Sequence, residues 1–275
     1  MLEMLSYTFM QRALLAGIIV GVICPMIGIF LVLRRMSMIG DSLSHVALSG
    51  VAAGMLTGTY PVAMALGFSV VAALAIERLR RSFEEYAELA IAIVLSTGIG
   101  LAVVLISLAN SFNANLYSYL FGNITTVMPQ DLKLITALGV VIVAGVIFLY
   151  KELFYIAFDE TSARLSGVPV KWLNILFVVM IAANITLSMR IVGILLVSSL
   201  MVLPVAASLQ IAKNFKQAMI YSVLLAQGAI LSGMVIAYYF ELASGGTIVL
   251  MSVVELLVIL GVKRLKKDVF RKVLA

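Results

Sequence analysis

Leu89–Ala109 reads LAIAIVLSTGIGLAVVLISLA, a run without a single charge. At 1.5 Å per residue such a helix reaches about 30 Å, the thickness of bilayer hydrocarbon. Runs of the same kind recur at about 13–33, 132–150, 172–189, 191–211, 218–240 and 246–262, with two weaker candidates at 43–58 and 61–77. Over 275 residues, 63% are hydrophobic and 12% charged, where soluble domains carry roughly 45–50% and about 25%. Mean hydropathy is +1.17. So much apolar surface cannot be hidden in one soluble core, so the solvent is a bilayer. The predicted fold class is an all-α integral membrane protein with about nine (8–9) transmembrane helices, forming one domain over 1–275.

The net charge of +6 gathers in short clusters at the ends of apolar runs: Arg34-Arg35, Arg78 to Arg81, and Lys263 to Lys272. Lysine and arginine in short loops favour the cytoplasmic side. With the tail 263–275 placed in the cytoplasm, nine spans counted backwards put Lys213, Lys216, Lys151 to Lys171, Arg78 to Arg81 and Arg34-Arg35 inside. Arg12 and Arg190 fall outside, as does the N-terminus. The shortest run, 43–58, is expected to be broken or re-entrant, which would leave eight spans. No basic face is interleaved with exposed aromatics, which argues against a nucleic-acid partner. Cys24 stands alone, so there is no intrachain disulfide and no thiolate cluster.

The segment MLEMLSYTFMQR, 1–12, lacks the order of a cleaved signal and reads as an interfacial lead-in to the first span. The polar stretch 110–131 reads as a short helix and loop on the outer face. Its Asn-Ile-Thr at 123–125 is an N-glycosylation pattern of a kind common by chance. Frequent Gly, Ala and Ser allow helices to pack closely in lipid.

Within this apolar chain IGDSLSHVALSG, 39–50, stands out, for it holds the one histidine. Asp41 and His45 are four apart, so on a helix they share a face. A carboxylate oxygen and an imidazole nitrogen on one face can ligate Zn²⁺ or Mn²⁺. Two ligands are too few for a tight site, but a two-fold partner would supply the same pair again. The competing reading makes Asp41 a helix N-cap and His45 a local hydrogen-bonding group. A second polar stretch, DETSARLSGVPVKW at 159–172, lies on the cytoplasmic side by the charge count. Glu160, Ala163 and Gly167 read E-x-x-A-x-x-x-G, and a small-residue face on a short helix can dock into another protein's groove. The alternative is a plain loop in which Gly167 and Pro169 end one helix and start the next.

Glu255, inside SVVELLVIL, either lines an ion path or is satisfied by neighbouring helices. Glu241, after YYF, is an outer rim or an entrance. Pro204 and Pro25 are expected to bend their helices. The methionines read as packing material, since no Met-x-x-Met cluster recurs. There is no G-x-x-x-x-G-K-[ST] loop, no H-E-x-x-H and no G-x-S-x-G. The chain is therefore expected not to be an enzyme. An ion-coupled secondary transporter using Asp41 and Glu255 is an alternative, although interior charges are few for that class.

Four stretches together, IGIFLVLRRMSMIGDSLSHVALSGVAAG, AIVLSTGIGLAVV, FDETSARLSGVPV and MRIVGILLVSSLMVLPVAAS, resemble the permease subunits of bacterial ABC importers for zinc and manganese, in the family's order, over about residues 8–262. The resemblance implies a homodimer in the bacterial cytoplasmic membrane, coupled to a separate cytoplasmic ABC ATPase subunit and fed by an extracytoplasmic metal-binding protein. It would carry Zn²⁺ or Mn²⁺ as cargo and hold no cofactor. The family's metal pair would fall on Asp41 and His45. The ATPase-coupling segment would fall on 159–168, with Asp159, Glu160, Ala163 and Gly167. The form SLSHVALSG, and the tolerance of Zn²⁺ for four-coordinate His/Asp sites, favour zinc over manganese.

Overall fold

The computed structural model describes residues 6–83, 86–108, 114–123, 125 and 127–273, with 114–115 and 266–273 by backbone alone. Among them no strand occurs. The helices in chain order are α1 (Thr8–Leu33), α2 (Met38–Thr57), α3 (Pro61–Ser82), α4 (Ala87–Leu108), α5 (Ala114–Phe121), α6 (Pro129–Phe148), α7 (Tyr150–Phe158), α8 (Glu160–Leu165), α9 (Val170–Ser188), α10 (Val197–Ile211), α11 (Phe215–Phe240) and α12 (Ser244–Val273). By length and composition α1, α3, α4, α6, α9, α11 and α12 can each cross a membrane. α2 has the length, 20 residues, but is diluted by Asp41, His45 and its serines. α10 is apolar but has only 15 residues. Helices α1 and α10 continue through Pro25 and Pro204, and α12 carries the expected tail on as helix to Val273.

Polar contacts between helices sort into two ends, as alternating passes require. At one end Arg34 meets Glu160, the Arg81 guanidinium donates to the Lys171 carbonyl (3.4 Å), and Lys263 donates to Gln210 (3.1 Å). At the other end Tyr60 meets Asp131, Arg190 meets Asp131, and the Ser244 hydroxyl donates to the Ile191 carbonyl (3.1 Å). The lysine and arginine count assigns the first end to the cytoplasm. Helices α1 and α9 are mostly buried, and Phe30 and Phe177 pack edge to face between them. Helices α4, α6 and α12 leave most of their surface open, with Val103, Val140 and Leu257 outward. A helix that is apolar all round can face lipid without a polar stripe.

The broken element is not the one expected. Residues 43–57 lie in a continuous helix that Gly58 ends, and the interruption falls at 189–196, across the start of the run that reads as a span over 191–211. Hydropathy could not place it, because the cause is a crossing of backbones. The Ile194 N–H donates to the Tyr119 carbonyl (2.8 Å), and the Asn123 N–H donates to that of Arg190 (3.3 Å). Gly193, at φ +88, is in the left-handed region, and a Cβ there would strike the Leu120 carbonyl. Met189 to Ile194 are all buried. Non-helical backbone survives at membrane depth only when protein encloses it.

Candidate functional site

Helix α2 is held by two neighbours. The Ser42 hydroxyl donates to the Ile91 carbonyl (3.2 Å) and the Ser49 hydroxyl to the Gly98 carbonyl (2.8 Å), both on α4. Gly50 and Gly54, four apart, let α3 approach so closely that a Cβ on Gly54 would sit 2.7 Å from Pro61 Cα. Small residues at this spacing are the usual means of close helix contact in lipid. What remains is a narrow face. Between Met38 and Gly54 only Met38, Asp41 and His45 reach the surface.

Asp41 and His45 thus share an open stripe, as their spacing predicts. At 1.5 Å per residue they stand about 5 and 11 Å along α2 from its cytoplasmic start. The local-cap reading fails for Asp41, because the helix begins at Met38 with Ser37 as N-cap and Asp41 already in its first turn. Its carboxylate accepts a hydrogen bond from the Ser198 hydroxyl in the first turn of α10. The interruption at 189–196 is thus what starts α10 beside α2. Ser44, three residues on from Asp41 and 2% exposed, has no partner for its hydroxyl. Among the described residues no three His, Cys, Asp or Glu cluster in a way that could hold a metal. By itself the chain brings two potential ligands, Asp41 and His45, to one open stripe.

Two other acidic candidates lie elsewhere. Glu255 is half-buried on α12, with its carboxylate against Gly228 of α11. Glu241 ends α11 at φ +52 and lines an outer cavity of about 500 Å³ with Asn123, Thr125, Tyr238 and Ser244.

At the cytoplasmic end Asp159 caps α8. Hydrogen bonds from the Ser162 hydroxyl and backbone N–H hold its carboxyl below the ordinary value. Glu160 faces Arg34 (3.6 Å) and accepts from the Asn174 amide (3.3 Å). The shared small-residue face does not form. Helix α8 ends at Leu165, Gly167 lies beyond it at φ +84, and Ala163 is wholly buried against Ile156, Val170 and Leu173. The surface here is instead Phe158, Leu165 and Trp172, 62%, 83% and 75% exposed.

The sequence reading missed a buried cluster at the outer end. Asp131, 1% exposed, accepts from the Tyr60 hydroxyl and the Met128 N–H (2.9 Å) and pairs with Arg190 Nε at 3.3 Å. The Arg190 guanidinium also lies over the Tyr119 ring, 4.3 Å from its centroid. Burial, and then the bond to Asp131, push the Tyr60 hydroxyl above its ordinary pKa. Two signals were present. Met-Pro-Gln-Asp at 128–131 is a helix start with Pro at N1 and an acid at N3, and a lone Arg190 between two apolar runs requires a counter-charge.

A family model described as the ABC 3 transport family matches residues 6–263. The chain belongs to the ABC 3 transport family. It is therefore a multi-pass permease subunit of the cytoplasmic membrane, and the ion-coupled secondary transporter drops out. Among its relatives is a probable metal transport system membrane protein of Treponema pallidum (strain Nichols), 38% identical over 258 residues, 94% of this chain and 97% of that protein. The manganese import system permease protein ScaB of Streptococcus gordonii is 30% identical over 268 residues, 98% of this chain and 96% of that one. Among solved structures, PsaBC from Streptococcus pneumoniae in complex with Fab superposes with a TM-score of 0.81 at 30% identity, over 92% of this chain and 91% of that chain. An inward-facing conformation of a putative metal-chelate type ABC transporter shares the fold at 15% identity, with a TM-score of 0.68 over 91% of this chain and 85% of that chain.

Proposed function

We propose that this ABC 3 family permease imports a divalent first-row transition metal, with Mn²⁺ ahead of Zn²⁺, through a path that Asp41 and His45 line in two symmetric copies. The observation that carries the reading is the open stripe of α2, on which a carboxylate and the chain's one imidazole are left facing outward. A homodimer completes it with the same pair from the second copy. An extracytoplasmic binding protein delivers the ion, and a separate ATPase supplies the energy at the 159–168 segment. This chain performs transport and no chemistry.

The sequence favours zinc through four-coordinate His/Asp chemistry, whereas two observations favour manganese. The hydroxyl of Ser198 adds an oxygen beside Asp41, and oxygen-rich sites suit Mn²⁺ better than Zn²⁺. The relative from Streptococcus gordonii is also named for manganese import.

The test is metal uptake by vesicles holding the permease with its ATPase and binding protein. His45→Ala abolishes uptake of both metals while the ATPase stays bound. Uptake at the wild-type rate would overturn the assignment. Competition between Mn²⁺ and Zn²⁺ in the unmodified transporter decides the cargo.

A further inference from the structure

Helix α8 rests on a small satellite cluster, Ile156, Ala163, Val170 and Leu173, separate from the main core. Among the hydrogen bonds and ion pairs of the described residues, one contact ties it to α1, the 3.6 Å pair between Glu160 and Arg34. Arg34 is the C-cap of α1, and its side chain is 5% exposed. Its guanidinium donates to Asn174 Oδ1 (2.8 Å) and lies over Phe177 at 5.4 Å, while the Asn174 amide turns back to Glu160. The three side chains close a ring between α8, α1 and α9.

The stretch from Arg34 to α2 is short and stiff. The N–H groups of Arg34, Arg35 and Met36 all donate back into the last turn of α1, at 3.0, 3.1 and 3.0 Å. Arg35 holds φ +56, and Met36 is 6% exposed. Ser37 then caps α2, whose first turn carries Asp41. A displacement of Glu160 therefore either breaks a pair with a buried cation or carries the α1–α2 junction with it. A buried guanidinium whose carboxylate comes from a peripheral helix is a poor device for stability, because apolar residues of similar volume would serve as well or better. Fixing the register of two elements is the best-attested use of such a pair.

We propose that Arg34 is a positioning residue that transmits movement of α8 to the first turn of α2, so that the Glu160–Arg34–Asn174 ring joins ATPase docking to the Asp41/His45 stripe. This rests on the reading of 159–168 as the ATPase-docking segment. The ring predicts that Glu160 faces inward, toward Arg34, while the ATPase is bound.

The experiment uses the full transporter in liposomes, with metal uptake and ATP hydrolysis read on the same vesicles. For Glu160→Gln and Arg34→Gln the ATPase stays bound, and more ATP is hydrolysed per ion imported than by the unmodified transporter. Arg34→Lys, which keeps the charge, recovers most of the coupling. Glu160→Gln changes a half-exposed side chain, so it decides the matter if Arg34→Gln does not assemble. An unchanged ratio in Glu160→Gln overturns the proposal, as does loss of the ATPase from that variant, which would make Glu160 a direct docking contact. Leu165→Asp is the control for the underlying reading, since it should release the ATPase. If the ATPase stays bound to Leu165→Asp, the docking segment is wrong. If Leu165→Asp releases it and Glu160→Gln couples normally, only the transmission fails.

Discussion

Asp131 and Asp41 lie toward opposite ends of the bundle, and what separates them is the company each keeps. Asp131 is sealed in with Arg190, the Tyr60 hydroxyl and the Met128 N–H, so its charge is neutralised and its oxygens are occupied. Asp41 has the Ser198 hydroxyl, a place in the first turn of a helix, and a histidine one turn on. No basic side chain pairs with it among the described residues. A buried carboxylate supplied with its cation is accounted for as a structural part, whereas an ionisable group in an apolar bundle without one is a candidate functional residue.

This contrast makes opposite predictions for the two sites. The largest stability effect is expected from Arg190→Met, which leaves Asp131 buried and unpaired. Removing one partner of a buried pair costs about 3–5 kcal/mol, read as a large drop in the apparent melting temperature of the detergent-purified permease. Asp41→Asn should leave that temperature nearly unchanged and abolish uptake. If Asp41→Asn were the more destabilising of the two, the roles assigned to the aspartates would be reversed.

Tyr60→Phe is a milder break on the structural side. It removes one hydrogen bond to a charged group, about 1.5–3 kcal/mol, but leaves Arg190 and the Met128 N–H in place. The melting temperature falls by less than in Arg190→Met, with uptake per folded molecule kept. A loss of uptake without a loss of stability would move the outer cluster from scaffold to gate.

Much of this was legible because lipid imposes simple demands. Every span needs a long apolar run, so an all-helical bundle of roughly eight or nine helices and two segregated ends follow from hydropathy and the placement of Lys and Arg. The i, i+4 spacing of Asp41 and His45 likewise determines a shared face in any helix. What escaped depends on facts a linear pattern does not hold. Ser198 reaches Asp41 only because backbones cross at Gly193 and shorten α10. Asp131 finds Arg190 only because the start of α6 lies beside the end of α9. The spacing of Ala163 and Gly167 mimics a helical face, but Gly167 adopts positive φ after α8 has ended, and Ala163 is spent on internal packing.

Ser198 offers the finest test of the contrast, because among the described residues it is the side chain that hydrogen-bonds Asp41. Groups that orient a metal ligand without coordinating the metal typically account for 10–100-fold in affinity. Ser198→Ala should therefore raise the metal concentration at half-maximal uptake by about 10–100-fold, with the maximal rate and the melting temperature close to wild type. Ser198→Thr keeps the hydroxyl and should recover much of the loss. The hydroxyl has two roles to distinguish, and the two metals separate them. If it only orients the carboxylate, Mn²⁺ and Zn²⁺ weaken in parallel. If its oxygen also reaches the ion, Mn²⁺, which asks for more oxygens, weakens more than Zn²⁺. A variant with unchanged half-saturation for both metals would leave Asp41 no better placed than a chance carboxylate and would weaken the case for the α2 stripe as the path.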